Sequence, residues 1–347
     1  MPLAHSDTPA PFAARSIAFN SGGVTRTRTN LLFASPFGSF GRPSFGLLEV
    51  FSCVTKIIVD PLSFMGYTKS KQKLMANNLS LENQTAIVHA LAEGTSIRAI
   101  ERMTGIHRDT VMRLGVRVGE NCAKIMDATM RNLDVRVIQM DEIWGFIGKK
   151  QKHTTTEERR EGMGDVWTFV SIDAESRMVP AYLVSSTRRK HDAVDFCEDL
   201  ASRVSNRVQI STDALKSYAD AVERGFGAEA DYGQILKVYG QPDANEARRY
   251  SPANLVRVER TVVSGNPDES LISTSYVERQ NLTMRMHMRR LTRLTNAFSK
   301  KFENFKAAVA LHFGYYNFVR LHKTLRMTPA MAGGVTNHIW TVQDLIG

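Results

Sequence analysis

Cysteine, acidic residues and long apolar runs are what this chain has least of. Its 347 residues include three cysteines, Cys53, Cys122 and Cys197, and no two of them stand in a CxxC pair. That spacing excludes a disulfide framework and a zinc knuckle, and it leads us to expect a reducing, intracellular compartment. No run of 18 apolar residues occurs, and the stretch from Leu47 to Phe64 is broken by Glu49, Lys56 and Asp60. A helix spanning a bilayer is therefore excluded. Acids number 35 against 45 Lys and Arg, a net charge of +10. Such a surplus points to a polyanionic partner, either nucleic acid or an anionic membrane surface.

What is present changes character along the chain. The first 66 residues hold 8 of the 17 Phe and 6 of the 11 Pro, with little helical or strand periodicity. They lack the basic segment, apolar stretch and small-residue cleavage site of a signal peptide. Met75 opens a stretch, MANNLSLENQ, that reads as a protein start. Residues 1–74 are accordingly expected to be a low-order leader, one that translation from Met75 would leave out.

Helical texture begins at Leu81, with Ile87, Val88 and Leu91 recurring at the helix period. A short second helix is predicted over Ser96–Met103. A turn at Thr104, Gly105 and Ile106 follows, because glycine takes a positive φ without steric cost. The third helix is predicted from about His107 to Val118, exposing Arg108, Thr110, Arg113 and Arg117 while Val111 and Leu114 turn inward. Three short helices with a basic third one predict a helix-turn-helix DNA-binding domain over 75–126.

Strands take over at Leu133. VRVIQM is predicted as a strand ending in Asp141, VWTFVSID and MVPAYLVSST as a hairpin around Ala174–Arg177, and RVQIST as a strand ending in Asp213. A helix from about Lys190 to Val204 precedes that last strand and another follows it to about Arg224. Residues 225–272 are Gly/Pro/Asn-rich and contain two strand-like pieces, GQILKVYG and NLVRVERTVV, which we expect to be an insertion. A helix begins near Ser273, and a long aromatic-rich helix is predicted over about Ala297–Arg320. This alternation predicts an α/β catalytic domain over 133–325 and a tail over 326–347.

Asp141 and Asp213 each end an apolar strand, the edge where open α/β sheets bind ligands. Glu278 stands at the head of a helix and is followed, from Arg279 to Phe302, by seven Arg or Lys and no acid. Carboxylates without a His or Cys cluster suit hard cations, Mg²⁺ or Mn²⁺, and two such ions can serve both sides of a phosphodiester displacement. On a continuous helix Glu278, Asn281, Arg285, Arg289 and Thr292 share one polar stripe, with Tyr276, Met284, Leu291 and Leu294 opposite. Basic side chains following an acid on one stripe can grip phosphate oxygens.

The blocks QMDEIWGFIG, ISTDALKSY and SYVERQNLTMRMHMRRLTRLTNAFSK, with the tail YYNFVRLHKTLRMTPA, resemble the DDE transposases of bacterial insertion sequences, in the branch named for insertion sequence one. The resemblance runs from about Met75 to Met331. It implies an RNase H-like mixed sheet flanked by helices, of the retroviral integrase superfamily, with the small all-α helix-turn-helix domain ahead of it. It further implies Asp141, Asp213 and Glu278 as catalytic, metal-binding acids for two Mg²⁺ (or Mn²⁺) ions, with no covalent enzyme–DNA intermediate, and Arg285 as a DNA contact.

 It also implies double-stranded DNA, the element's terminal repeats and a target, as the partner of a homodimer or higher assembly in the bacterial cytoplasm at the nucleoid. Two departures from the branch stand out. Its zinc-binding cysteines are missing here, and the 65 positions separating Asp213 from Glu278 exceed the spacing of its shortest members.

Neighbouring residues have plainer readings. Strand alternation sends Glu142 to the face opposite Asp141, so only one of the two is expected at the site. Asp173 reads as hairpin chemistry, Trp144 and Trp167 as core, His312 and His322 as packing and surface hydrogen bonds. Lys216, just after Asp213, is a candidate phosphate contact. Two other functions share these features: a DNA-binding protein without chemistry, such as a repressor or domesticated transposase, and an RNase H-like nuclease or resolvase that cuts without joining.

Overall fold

The computed structural model describes residues 79–240 and 255–347, so the expected leader lies outside the described residues. The described residues belong to one compact unit, Lys71–Gly347. Its helices are α1 (Leu81–Ala92), α2 (Ile97–Thr104), α3 (Arg108–Thr129), α4 (Thr156–Arg160), α5 (Lys190–Ala201), α6 (Ser217–Phe226), α7 (Ser275–His287), α8 (Phe302–Gly314), α9 (Pro329–Ala332) and α10 (Val342–Ile346). Its strands are β1 (Val137–Ile147), β2 (Gly164–Asp173), β3 (Tyr182–Ser185), β4 (Val208–Asp213), β5 (Ala230–Tyr239) and β6 (Leu255–Ser264).

The six strands form one mixed sheet in the order β3-β2-β1-β4-β5-β6. β1, β2 and β3 make an antiparallel meander, whereas β4 lies parallel to β1 and β5 parallel to β4. Parallel neighbours need a crossover, and α6 supplies the one from β4 to β5. β6 returns antiparallel to β5. This mixed sheet with flanking helices is compatible with the RNase H-like architecture. Residues 225–272, read as an insertion with two strand-like pieces, hold β5 and β6, both within the main sheet.

β1 corrects a boundary. It was expected to end at Asp141 but runs on to Ile147, because β2 keeps pairing with it as far as Ile147↔Gly164. Its pairing with β4 stops at Met140↔Thr212. Asp141 therefore stands in mid-strand, at the residue where β1 loses one of its two neighbours.

The first helices are tied to the rest. Ser96 caps α2 through the Ala99 amide, and Gly105, at φ 70°, ends that helix in the left-handed region. α3 continues eleven residues beyond the expected end at Val118, and its second half packs on α8. A Cβ on Gly119 would come within 2.1 Å of the Ala307 carbonyl oxygen, so the two backbones touch there. Ile87, Val88, Ile100, Val111 and Leu114 share a core with Ala310 and Leu311 of α8 and with Val342, Leu345 and Ile346 of α10. The tail thus closes the core of the first helices. The long helix expected over Ala297–Arg320 is shorter: α8 starts at Phe302 and passes into a π-helical turn, Tyr315–Val319.

Candidate active site

Parallel register sets the two aspartates side by side. Met140 pairs with Thr212, so the next residue on each strand, Asp141 and Asp213, stands at the same level across the seam. Beyond it β4 turns away, and the Asp213 carboxylate accepts a hydrogen bond from the Leu215 amide at 3.1 Å. β1 is left with an open edge, which explains a contact that alternation alone seemed to forbid.

Glu142 does face away from Asp141. It points toward α5 and α6, whereas Gln139, Asp141 and Gly145 point toward α7 and α8. Yet oxygens of Asp141, Glu142 and Asp213 all lie within 4.8 Å of one another. No strand fills the edge between the two faces at that level, so both carboxylates reach around it. The expectation that only one of the pair could approach the site is overturned.

α7 brings the third segment. The Gln139 side chain accepts from the Tyr276 amide at 2.8 Å and so fixes the start of the helix on β1. Asn281, one turn beyond Glu278, donates from Nδ2 to Asp141 Oδ2 at 2.9 Å. Glu278 accepts from the Thr274 hydroxyl at 2.7 Å and pairs with Lys237 of β5. It stands outside the closest trio, yet its charge reaches Asp141.

Burial dominates the electrostatics. It pushes the Asp141 carboxyl up to about 6, and the charges of Asp213 and Glu278 add to the rise while the Glu142 amide and Asn281 oppose it. Glu142 is pushed up to about 7 by burial, opposed by the Tyr218 hydroxyl and Arg188. Its side chain is only 1% exposed, and Arg188 Nη2 lies 3.1 Å from Oε2 and 4.0 Å from Asp213 Oδ2. The Arg188 guanidinium rests over the Trp167 ring at 4.8 Å. Oε1 of Glu142 and Oδ1 of Asn281 are buried without hydrogen-bond partners.

These residues fit a hard divalent cation. The donors are carboxylate oxygens, and two orphaned buried oxygens border the cluster. Asp141, Asp213 and Glu142 could hold an ion directly. Glu278 could join them by releasing Lys237.

The expected DNA contacts divide. Arg108, Arg113 and Arg117 are exposed on α3 and Thr110 is half-buried; Arg117 bonds to Gln84 and Arg113 to Thr110. Lys216 is exposed ahead of α6, and Arg289 is exposed too. Asn281, expected on the solvent stripe, is buried on Asp141. The stripe itself breaks, because α7 ends at His287 and Arg289 falls in a following 3-10 turn. Leu294, expected inward, is 88% exposed. Arg285 is half-buried and donates to the Leu291 carbonyl, and burial together with Arg293 lowers its pKa.

Asp173 accepts from the Glu175 and Ser176 amides, as hairpin chemistry requires. Trp144 and Trp167 are half-buried, under Lys150 and Arg188 respectively. His312 is buried in the core, its pKa lowered to about 3. Sequence reasoning passed over Arg188 and Lys237. The signal for Arg188 was the basic run Arg188, Arg189, Lys190 ahead of α5, within reach of any acid at the end of β4.

No known protein family and no curated protein matches the chain. Among solved structures it is similar to a chain in the cryo-EM structure of the simian T-cell lymphotropic virus intasome in complex with PP2A regulatory subunit B56 gamma. The identity is 11% and the TM-score 0.33, over 73% of this chain and 74% of that one.

Proposed function

We propose that this chain is a DDE transposase, a metal-dependent enzyme that cuts the ends of an insertion sequence and joins them to target DNA. The observation that carries the reading is the meeting of Asp141, Asp213 and the Glu278–Asn281 turn of α7 at the open edge of β1. Segments remote in sequence supply acids to one point, at the end of the parallel strand pair.

Asp141, Asp213 and Glu278 would hold Mg²⁺ or Mn²⁺, with Glu142 as a fourth oxygen donor. The chemistry supplied by the bound cations is activation of a water or a 3′ hydroxyl and neutralisation of charge on the leaving oxygen. Asn281 fixes the orientation of Asp141 through its amide hydrogen bond. Arg188 balances the Glu142 charge, and its guanidinium can also take up phosphate oxygens beside Asp213. Arg108, Arg113 and Arg117 lie where α3 could read DNA, and Lys216 and Arg289 could contact the phosphate backbone. The working form would be a dimer or larger, because joining acts on two ends together.

The test incubates purified protein with end-labelled terminal repeats of the element, with Mg²⁺ or with EDTA. The expected outcome is a nick at the 3′ end of the element followed by joining, in Mg²⁺ alone. Cutting without end preference or joining identifies a nuclease, and binding without cutting identifies a repressor. Binding should weaken steeply with salt, since phosphate neutralisation releases counterions.

A further inference from the structure

β6 is the outermost strand of the sheet, and its outer edge pairs with no strand among the described residues. Exposed edges are usually short, or protected by lysine or proline. This one is ten residues long and contains neither. Leu255, Val256, Val258, Val262 and Val263 are each more than a third exposed. Its charges, by contrast, are matched: Arg257 and Glu259 pair with each other along the strand at 2.7 Å. Arg260 is turned back onto its own chain and donates to the Ile272 carbonyl.

We infer that β6 pairs antiparallel with β6 of a second copy of this chain, about a two-fold axis through Val258. Apolar side chains on an open edge argue for a protein strand over a phosphate backbone, and the register argues for self-pairing. Residues directly opposite in an antiparallel ladder must be of one kind, both exchanging hydrogen bonds or both not. β6 is regular against β5 from Arg257 to Val262, with irregularities on either side. Along that stretch a two-fold pairing must therefore centre on a residue, not between two. Centring on Arg257, Glu259 or Arg260 sets a charge against its own copy. Centring on Val258 sets Arg257 opposite Glu259 twice, on one face, where opposite charges attract across the pair. The result joins two sheets into one continuous sheet and brings two acidic sites into one particle. The pairing does not depend on the strand-transfer reading.

The test uses the full chain without DNA or metal, followed by sedimentation velocity. The wild type should be dimeric. Arg257→Glu, which opposes four acids, should weaken the dimer by about tenfold or more, and adding Glu259→Arg should restore it. Under mild oxidation Val258→Cys should form a disulfide with its own copy, identified by peptide mass mapping, whereas Thr261→Cys should not. Circular dichroism confirms that each variant is folded. A monomeric wild type, dimerisation only on adding DNA, or a dimer that Arg257→Glu leaves intact would overturn the inference. So would β6 protected from hydrogen exchange in a monomer, which would mean that another segment of this chain covers the edge. Loss of DNA cleavage with the dimer intact would count against the proposed function alone.

Discussion

At the seam between β1 and β4, the carboxylates of three half-buried residues crowd within 4.8 Å of one another, while the strands beneath them are packed. Two strands further out, β6 has its charges paired and its valines in solvent. The seam is complete in packing and short of positive charge. The edge is complete in charge and short of packing. Each lacks what a different partner supplies: a cation needs only oxygens at the right distance, whereas a strand needs a long open ladder and apolar side chains beside it.

The sharpest way to break this contrast is Asp141→Asn. It keeps the amide hydrogen bond from Asn281 within reach but removes a proposed cation ligand. Strand cleavage should fall by about a thousandfold or more, read by the labelled-end assay, with no loss in thermal midpoint and no change in β6 pairing. Equal cleavage by variant and wild type would remove the seam from the chemistry.

Arg188→Ala should come next. It strands the buried Glu142 carboxylate, and since Arg188 is itself about a third exposed we expect a loss of about 2–3 kcal/mol in urea unfolding. Millimolar Mg²⁺ should raise the melting temperature of this variant more than that of the wild type, because the competing guanidinium is gone.

The packed interior has a pH signature of its own. Burial first, then the charges of His287 and Arg320, lower the His312 pKa to about 3; its ring also faces Gln280, Phe313 and Tyr316. The unfolded chain binds that proton near pH 6.5, so the contribution of neutral His312 is full above that pH and is lost as pH falls toward 3. Stability relative to His312→Gln should drop by up to about 1.4 kcal/mol per pH unit below 6.5. A flat difference between pH 7 and 4.5 would show that the ring is not held neutral.

The smallest effect belongs to the edge. Val256→Thr removes apolar surface that is already 69% exposed, so unfolding free energy should change by no more than about 0.5 kcal/mol. A larger loss would mean that the valine is covered, by its own chain or by the second copy.

Much of this was legible in the sequence. Apolar runs of β period located the strands, and Gly105 marked the turn between α2 and α3, because both signals are local. Asp141 and Asp213 could be singled out since each follows a run of buried residues. Boundaries were less legible. β1 outlasted its expected end because β2, not its own sequence, kept pairing with it, and α3 outlasted Val118 because α8 offered a face to bury against. The stripe through Arg289 failed for the opposite reason: α7 stopped at His287, so helical spacing ceased to apply.

By itself the sequence determined the alternation of helix and strand, the surplus of positive charge and the acids available for chemistry, since these follow from residue type and short-range spacing. Which acids meet was decided only by the tertiary structure. Glu142 joins Asp141 because β4 ends one residue too soon to separate the two faces of β1, and Asn281 is turned onto Asp141 because α7 is anchored by Gln139. Distances of a few ångströms between residues far apart in the chain depend on strand register and helix placement, and those are set by packing across the whole sheet.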